Sequence, residues 1–304
     1  MSLAAFSLHT LLDVENFDQA MNVIQQDPKA GCTTGGSYHS FPLLTALLHQ
    51  PPLNLVEALI KANPEALKTK NDLGMLPLRV AIRNKASTEV IMKLITEYPD
   101  AVNTFGVSGK TCLHLACMFH ADQAVIDRLI NLWPEAAAWK DREGWHPLHM
   151  ACLCRDSFET ITAIIDVYPH AALMTCSHDG ELPMHLAALQ GAPVDTLQAL
   201  HEANREAVAV RTRTHGWMPL HLACQQNVSA ESIQFLVDEN RSAAEFRGKH
   251  CGSLPLHIAA KNGCSPKVLE ILVAAYPQAM KMQSYSGKTP LKYDENDVLA
   301  ELAH

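Results

Sequence analysis

The sequence predicts an all-α fold built as a helical repeat solenoid. Three observations predict it: a Pro-Leu-His-x-Ala-like phrase, a Tyr-Pro-Glu-Ala-like phrase and a single glycine. Each recurs every 35 or 36 residues, and all three stay in phase. The first phrase reads FPLLTAL from Phe41, LPLRVA (Leu76–Ala81), TCLHLAC (Thr111–Cys117) and HPLHMAC (His146–Cys152). It continues as LPMHLAA (Leu182–Ala188), MPLHLAC (Met218–Cys224), LPLHIAA (Leu254–Ala260) and a final TPLK from Thr289. Its proline positions are 42, 77, 112 (a cysteine), 147, 183, 219, 255 and 290, a mean step of about 35.4. The second phrase is NPEAL at Asn63, YPDAV at Tyr98, WPEAA at Trp133, YPHAA at Tyr168 and YPQAM at Tyr276. Proline-less versions stand at Asn204 and Asn240. The glycines are 74, 109, 144, 180, 216, 252 and 287, each three residues before the proline position.

A length of 304 residues alone would suggest two domains of roughly 150. The period replaces that expectation with one continuous stack of about 8.6 units whose ends are modified. Residues 1–40 are read as a degenerate N-terminal cap and loop, 41–288 as seven repeats and 289–304 as a C-terminal cap.

The elements follow in order. Leu8–Gln26 reads as two short helices with Asp27-Pro28 in the Tyr-Pro position, and the Gly/Ser/Thr-rich Ala30–Ser40 as a mobile first loop. In each repeat the proline opens a first helix, where its missing N–H costs nothing. Ser87, Ser157, Ser229 and Ser265 stand where a second helix begins and act as caps. Apolar residues then recur at helical spacing, as in Val90, Ile91, Leu94 and Ile95. The Tyr-Pro phrase closes that helix, and a glycine turn leads on. Pro290–His304 keeps a first-helix start and then turns acidic over Tyr293-Asp294-Glu295-Asn296-Asp297, a polar face for the last layer.

The PLHxA phrase, the Leu/Ile-rich second helix and the glycine turn together resemble the ankyrin-repeat family. The resemblance covers roughly residues 40–292, with departures. The period exceeds the usual value of about 33. The extra residues fall at the turn between the helices and around the Tyr-Pro phrase. The threonine that precedes the proline in the family survives only at Thr111 and Thr289. A helix cap is thus lost in most units, which puts the usual β-hairpin fingers in doubt.

Composition excludes several classes. A 48% hydrophobic fraction excludes a disordered chain. No run approaches the roughly 18–20 apolar residues of a membrane helix. Nine cysteines spread over the chain do not make a disulfide scaffold. A net charge of −8 argues against nucleic acid as a partner. The prefix MSLAAFSLHTLL lacks the basic region and cleavage site of a secretory signal. The expected compartment is the cytoplasm, or the nucleus.

No motif carries catalysis. His114, His149, His185, His221 and His257 share one repeat position. A reaction needs one unique constellation, so a residue repeated in every unit reads as a backbone tie between loops. Cys117, Cys152 and Cys224 take an alanine-like buried position, and Cys152-Leu153-Cys154 lacks the second pair that zinc requires. Phosphate loops and a Gly-x-Ser-x-Gly elbow are absent. No cofactor is expected.

What remains is the surface of loop tips and first helices. Arg211, Arg213 and His215 precede Gly216; Arg247, Lys249 and His250 precede Gly252. A shift of 36 places Arg211 over Arg247 and Arg213 over Lys249, a basic patch suited to an acidic or phosphorylated segment. Trp145 and Trp217 directly follow tip glycines and are candidate anchors. Met118, Phe119 and His120 end a first helix where other units are polar. The periodic aromatics Tyr98, Trp133, Tyr168 and Tyr276 are expected to pack between successive second helices.

The expected function is a non-catalytic, monomeric scaffold or adaptor that binds another protein through its tips and first helices. Two further readings are a recognition or targeting subunit of an enzyme complex and a redox-responsive regulator using Cys251 or Cys32.

Overall fold

The computed structural model describes residues 3–35, 41–176, 179–294 and 298–302, with side chains from residue 8 onward. The chain divides into two compact units, Met1–Arg142 and Glu143–His304. Each is an all-α repeat solenoid. Among the described residues there is no strand; an isolated bridge joins Phe105 and Thr111.

Unit one holds four helix pairs: Leu3–Asp13 with Phe17–Gln26, Pro42–Ala46 with Leu53–Ala62, Pro77–Arg83 with Thr88–Glu97, and Cys112–Phe119 with Gln123–Leu132. Unit two holds Pro147–Cys154 with Phe158–Val167, Pro183–Gln190 with Val194–Ala203, Pro219–Gln225 with Ala230–Glu239, and Pro255–Lys261 with Pro266–Ala275. Proline opens most first helices, and Leu78, Val80, Ala81 and Ile82 show how nearly every face of one is buried. Ser87, Ser157 and Ser229 cap their second helices by accepting the N–H three residues on, at 3.4, 3.2 and 3.2 Å.

A third helical element follows every second helix. Asp, Asn, Tyr or Trp ends the ten-residue helix, and the next five residues wind a 3-10 turn, as in Pro99–Asn103 or Arg205–Ala209. This turn occupies the phrase to which the extra repeat length was assigned. Its third and fourth residues are buried small or aliphatic groups, such as Ala136 and Ala137. Asparagine at the helix end adds a tie, with a following proline at Asn63 (to Gly31 O, 3.4 Å) and without one at Asn204 and Asn240. Asn204 Nδ2 donates to the Ala172 carbonyl at 3.1 Å, and Asn240 Nδ2 to Val208 at 3.2 Å, each in the preceding turn. Arg241 donates to the Ala274 and Ala275 carbonyls at the end of the last long helix, at 2.9 and 3.1 Å. Replacing buried Asn204 with Ala leaves the Ala172 carbonyl unpaired. The expected loss in urea unfolding is about 1–2 kcal/mol.

Two expectations change, and the periodic aromatics take on a further role. Within Ala30–Ser40, Ala30–Cys32 belongs to the 3-10 turn Pro28–Cys32, with Ala30 and Gly31 buried; residues 36–40 lie outside the described set. The last first-helix start is only a three-residue 3-10 turn, Pro290–Lys292. A short helix, Val298–Glu301, follows, with Leu299 buried and its N–H bonded to Asp294 Oδ2 at 2.6 Å. Glu295, Asn296 and Asp297 lie outside the described residues. Finally, the half-buried periodic aromatics are helix C-caps. Trp133 packs on Trp139 (5.7 Å) and Tyr168 on His170 (5.9 Å), so these rings meet the 3-10 segment beside them.

Candidate functional site

Histidine ties the N-cap residue's own N–H, in the unit that keeps threonine as well as in those that lack it. In unit two the Nδ1 atoms of His149, His185, His221 and His257 accept the N–H of the residue three before them, at 3.1–3.3 Å. Nε2 then donates to a carbonyl of the following loop. The acceptors are Glu181, Val210, Phe246 and Met282, at 3.3, 3.0, 3.0 and 3.1 Å. Both ring nitrogens are thereby committed to backbone, with the proton on Nε2. His114 plays the N-terminal half of this role in unit one, accepting from Thr111 N–H at 3.2 Å. Burial pushes the imidazoles of His185 and His221 down to about 4, against the raising effect of their carbonyl bonds. These rings are neutral structural ties, as their periodicity implied.

The tips of unit two are linked by a second ladder. Arg213 N–H donates to Asp179 O at 2.7 Å, Lys249 N–H to His215 O at 2.7 Å, and Tyr285 N–H to Cys251 O at 2.9 Å. Each donor also lays its side-chain stem on the preceding tip glycine. A β-carbon on Gly180 would meet Arg213 Nε at 2.9 Å, and one on Gly216 would meet Lys249 Cγ at 2.6 Å; on Gly252 it would strike the Tyr285 ring. Gly109 and Arg142 repeat the relation in unit one. The glycines hold positive φ, and their bare faces are seats for the next tip's stem.

The cations of the basic patch come together in this ladder, each with a distinct setting. Arg211 stacks over Phe246, 5.0 Å from the ring centre. Lys249 Nζ donates to Arg213 O at 2.8 Å. Arg247 is half-buried and donates to Gln283 O at 2.7 Å and Gly252 O at 3.3 Å. Asp179 borders them, accepting from Thr214 N–H at 2.5 Å and lying 3.7 Å from His215. Burial opposes ionisation of that carboxyl, but the bonds from Thr214 and His215 prevail and hold it below its usual range. His215 also approaches Trp217 (5.3 Å) and exposed His250 (6.0 Å).

Both tip tryptophans are half-buried against the periodic histidines: Trp217 stacks on His221 at 6.3 Å and Trp145 meets His149 edge-on at 5.9 Å. In unit one, Met118 is exposed and Phe119 half-buried, and both face the tip side. His120 is the left-handed C-cap of the same helix. Cys117, Cys152 and Cys224 are buried, and burial raises the thiols of Cys152 and Cys224 above their usual range. Cys251 and Cys32 are exposed; Cys32 Sγ lies 3.3 Å from Ala62 O.

Sequence reading missed Asp179, Phe246 and Tyr285 as parts of the tip surface. The available signal was a glycine followed 33 residues later by a long side chain, three short of the local repeat.

No helix among the described residues is long and apolar enough to cross a membrane. The sequence matches a family model described as ankyrin repeats (3 copies) twice, over residues 78–173 and 148–249, together more than half of the chain. No curated protein matches the chain. Among solved structures, the human ASB11 ankyrin repeat domain is similar, with a TM-score of 0.58 and 19% identity over 75% of this chain and 95% of that one. The ankyrin repeat domain of Bcl-3, a member of the IkappaB protein family, gives a TM-score of 0.56 and 21% identity over 76% and 99%. At these identities the likeness concerns the fold.

Proposed function

This chain belongs to the ankyrin-repeat family, and we propose that it is a non-catalytic scaffold or adaptor that binds a partner protein through its tips and first helices. Ankyrin repeats are general protein–protein interaction modules. The finer reading is that the unit-two tips recognise an acidic or phosphorylated segment.

One observation carries it. Arg211 and Lys249 are exposed on tips whose backbones are already cross-linked, and neither forms an ion pair among the described residues. Their charges stand on a rigid support, so association orders few groups. An acidic ligand there gains charge-assisted hydrogen bonds at little cost in preorganisation.

Affinity capture from the native cell identifies the partner, and the purified pair is then titrated. Changing Arg211, Arg213 and Lys249 to Met keeps the apolar stems on their seats and removes the charge. Affinity is expected to fall at least tenfold, with a flatter salt dependence. Unchanged affinity would overturn the basic-tip reading.

A further inference from the structure

The histidine position has one buried charged occupant, Arg79; Lys292 of the terminal TPLK phrase is exposed. Arg79 stands where the later units carry His, and it reaches for the corresponding carbonyl. His185, His221 and His257 each bond an oxygen 25 residues on, at 3.0–3.1 Å. Arg79 NH1 also reaches 25 residues on, to Thr104 O, but at 3.4 Å. It is 3% exposed, and its Nε has no hydrogen-bond partner. A neutral imidazole satisfied on both sides has thus been exchanged for a permanent cation with one long backbone bond and a thiol, Cys112, beside it. A buried charge left without a counter-ion is costly, and the rest of the repeat needs no cation there.

The same residue lines a pocket of about 320 Å³ between the tips and the first helices of unit one. Leu73, Val107, Met118 and Phe119 supply apolar walls, and Arg83 a second cation. Leu73 and Val107 are 55% and 74% exposed, large apolar groups held out on loop tips. The tip seat beside it is empty. Val107 stands 33 residues after Gly74, where later tips put an Arg, Lys or Tyr stem, and nothing lies within 4 Å of the place a Gly74 β-carbon would take. No Asp or Glu lines the pocket. Lys110 is already paired with Asp141 at 2.6 Å, whereas Arg79 and Arg83 have no ion-pair partner among the described residues.

We infer that this pocket binds a partner-protein segment in which a large apolar side chain adjoins a carboxylate. The apolar group fills the space between Leu73, Val107 and Met118, and the carboxylate completes the Arg79 guanidinium. The volume suits one or two side chains. A planar guanidinium matches a carboxylate in two parallel hydrogen bonds. A phosphate dianion would bring a larger desolvation cost into these apolar walls than the single charge of a carboxylate. The inference rests on the protein-binding reading above and names the chemistry of one contact.

The test is selection of a displayed library of random dodecapeptides on the full chain. The expected consensus places Leu, Ile, Met or Phe within two residues of Asp or Glu. A synthetic peptide of that consensus should bind tenfold or more weakly to Arg79→His, which installs the residue of the five following units. The thermal midpoint of that variant should equal or exceed the parent's. Met118→Glu, on an exposed wall, provides a second variant and should repel the same peptide to the same degree. Changing the peptide's Asp or Glu to Asn or Gln should also cost tenfold. A consensus without a carboxylate, or affinity for Arg79→His and Met118→Glu equal to the parent's, overturns the inference. Peptides lost only on the Arg211/Arg213/Lys249→Met variant overturn it while supporting the general binding reading. No enrichment at all counts against both.

Discussion

Acidification from pH 7 to pH 5 should lower the stability of unit two by about 4 kcal/mol through two histidines alone. His185 and His221 are buried and titrate at about 4 in the folded protein, against 6.5 for the free side chain. Between those values the unfolded chain binds protons that the folded chain refuses. Stability therefore rises with pH across this window: the contribution is full above about 6.5, falls as pH drops, and levels off below about 4. At pH 5 each ring accounts for about 2 kcal/mol, a large part of the 5–15 kcal/mol that holds a typical domain. The cause is geometric. Nδ1 accepts from Leu182 or Met218 N–H, so protonating it turns an acceptor into a second donor facing a donor. Urea titrations at pH 7, 6 and 5, with hydrogen exchange followed over residues 180–225, measure the effect. The double change of His185 and His221 to Gln should flatten the pH slope while lowering stability at pH 7. An equal slope in that variant would assign the acid sensitivity elsewhere.

Those rings also show what was legible in the sequence. Five histidines at one repeat position identified themselves as structural because a periodic residue meets the same neighbour in every layer. The helices were legible for the same reason: Pro at the start, Ser at the cap and Val90-Ile91-Leu94-Ile95 spacing are local signals. The 3-10 turns were half legible, since the phrase was visible but its winding was not. Asn204 and Asn240 looked like degraded Tyr-Pro and proved to be ties to the preceding turn. What stayed hidden depends on stacking offsets. The stem seats run at 33 residues, the histidine bonds at 25 (32 for His149) and the asparagine bonds at 32, none equal to the period of 35 or 36. Alignment by period puts Arg211 over Arg247; the fold puts Arg211 over Phe246 and Lys249 over Gly216.

Replacing Gly216 with Ala should cost about 3 kcal/mol, and replacing Gly263 only about 1. Both glycines have φ of +64°, so the backbone penalty of a β-carbon is the same at each. The surroundings differ. Nothing lies within 4 Å of a Gly263 β-carbon, whereas one on Gly216 would stand 2.6 Å from Lys249 Cγ. That atom is the root of the stem and cannot swing aside without lifting Lys249 Nζ from Arg213 O. The repeat itself performs the control. The turn between paired helices, where Gly263 sits, accepts Lys85, His120, Arg155 and Asn227 at positive φ in other units. The tip position of Gly216 is also glycine at 74, 109, 144, 180, 252 and 287. Positive φ alone therefore does not demand glycine at the turn between helices; at Gly180, Gly216 and Gly252 the next tip's side chain adds a steric demand to the backbone one. Differential scanning calorimetry of the two variants separates these terms. If the tips form the binding surface, Gly216→Ala should also weaken an acidic partner several-fold while Gly263→Ala leaves its affinity unchanged. Equal destabilisation by the two changes would mean that the stem contributes nothing to the seat.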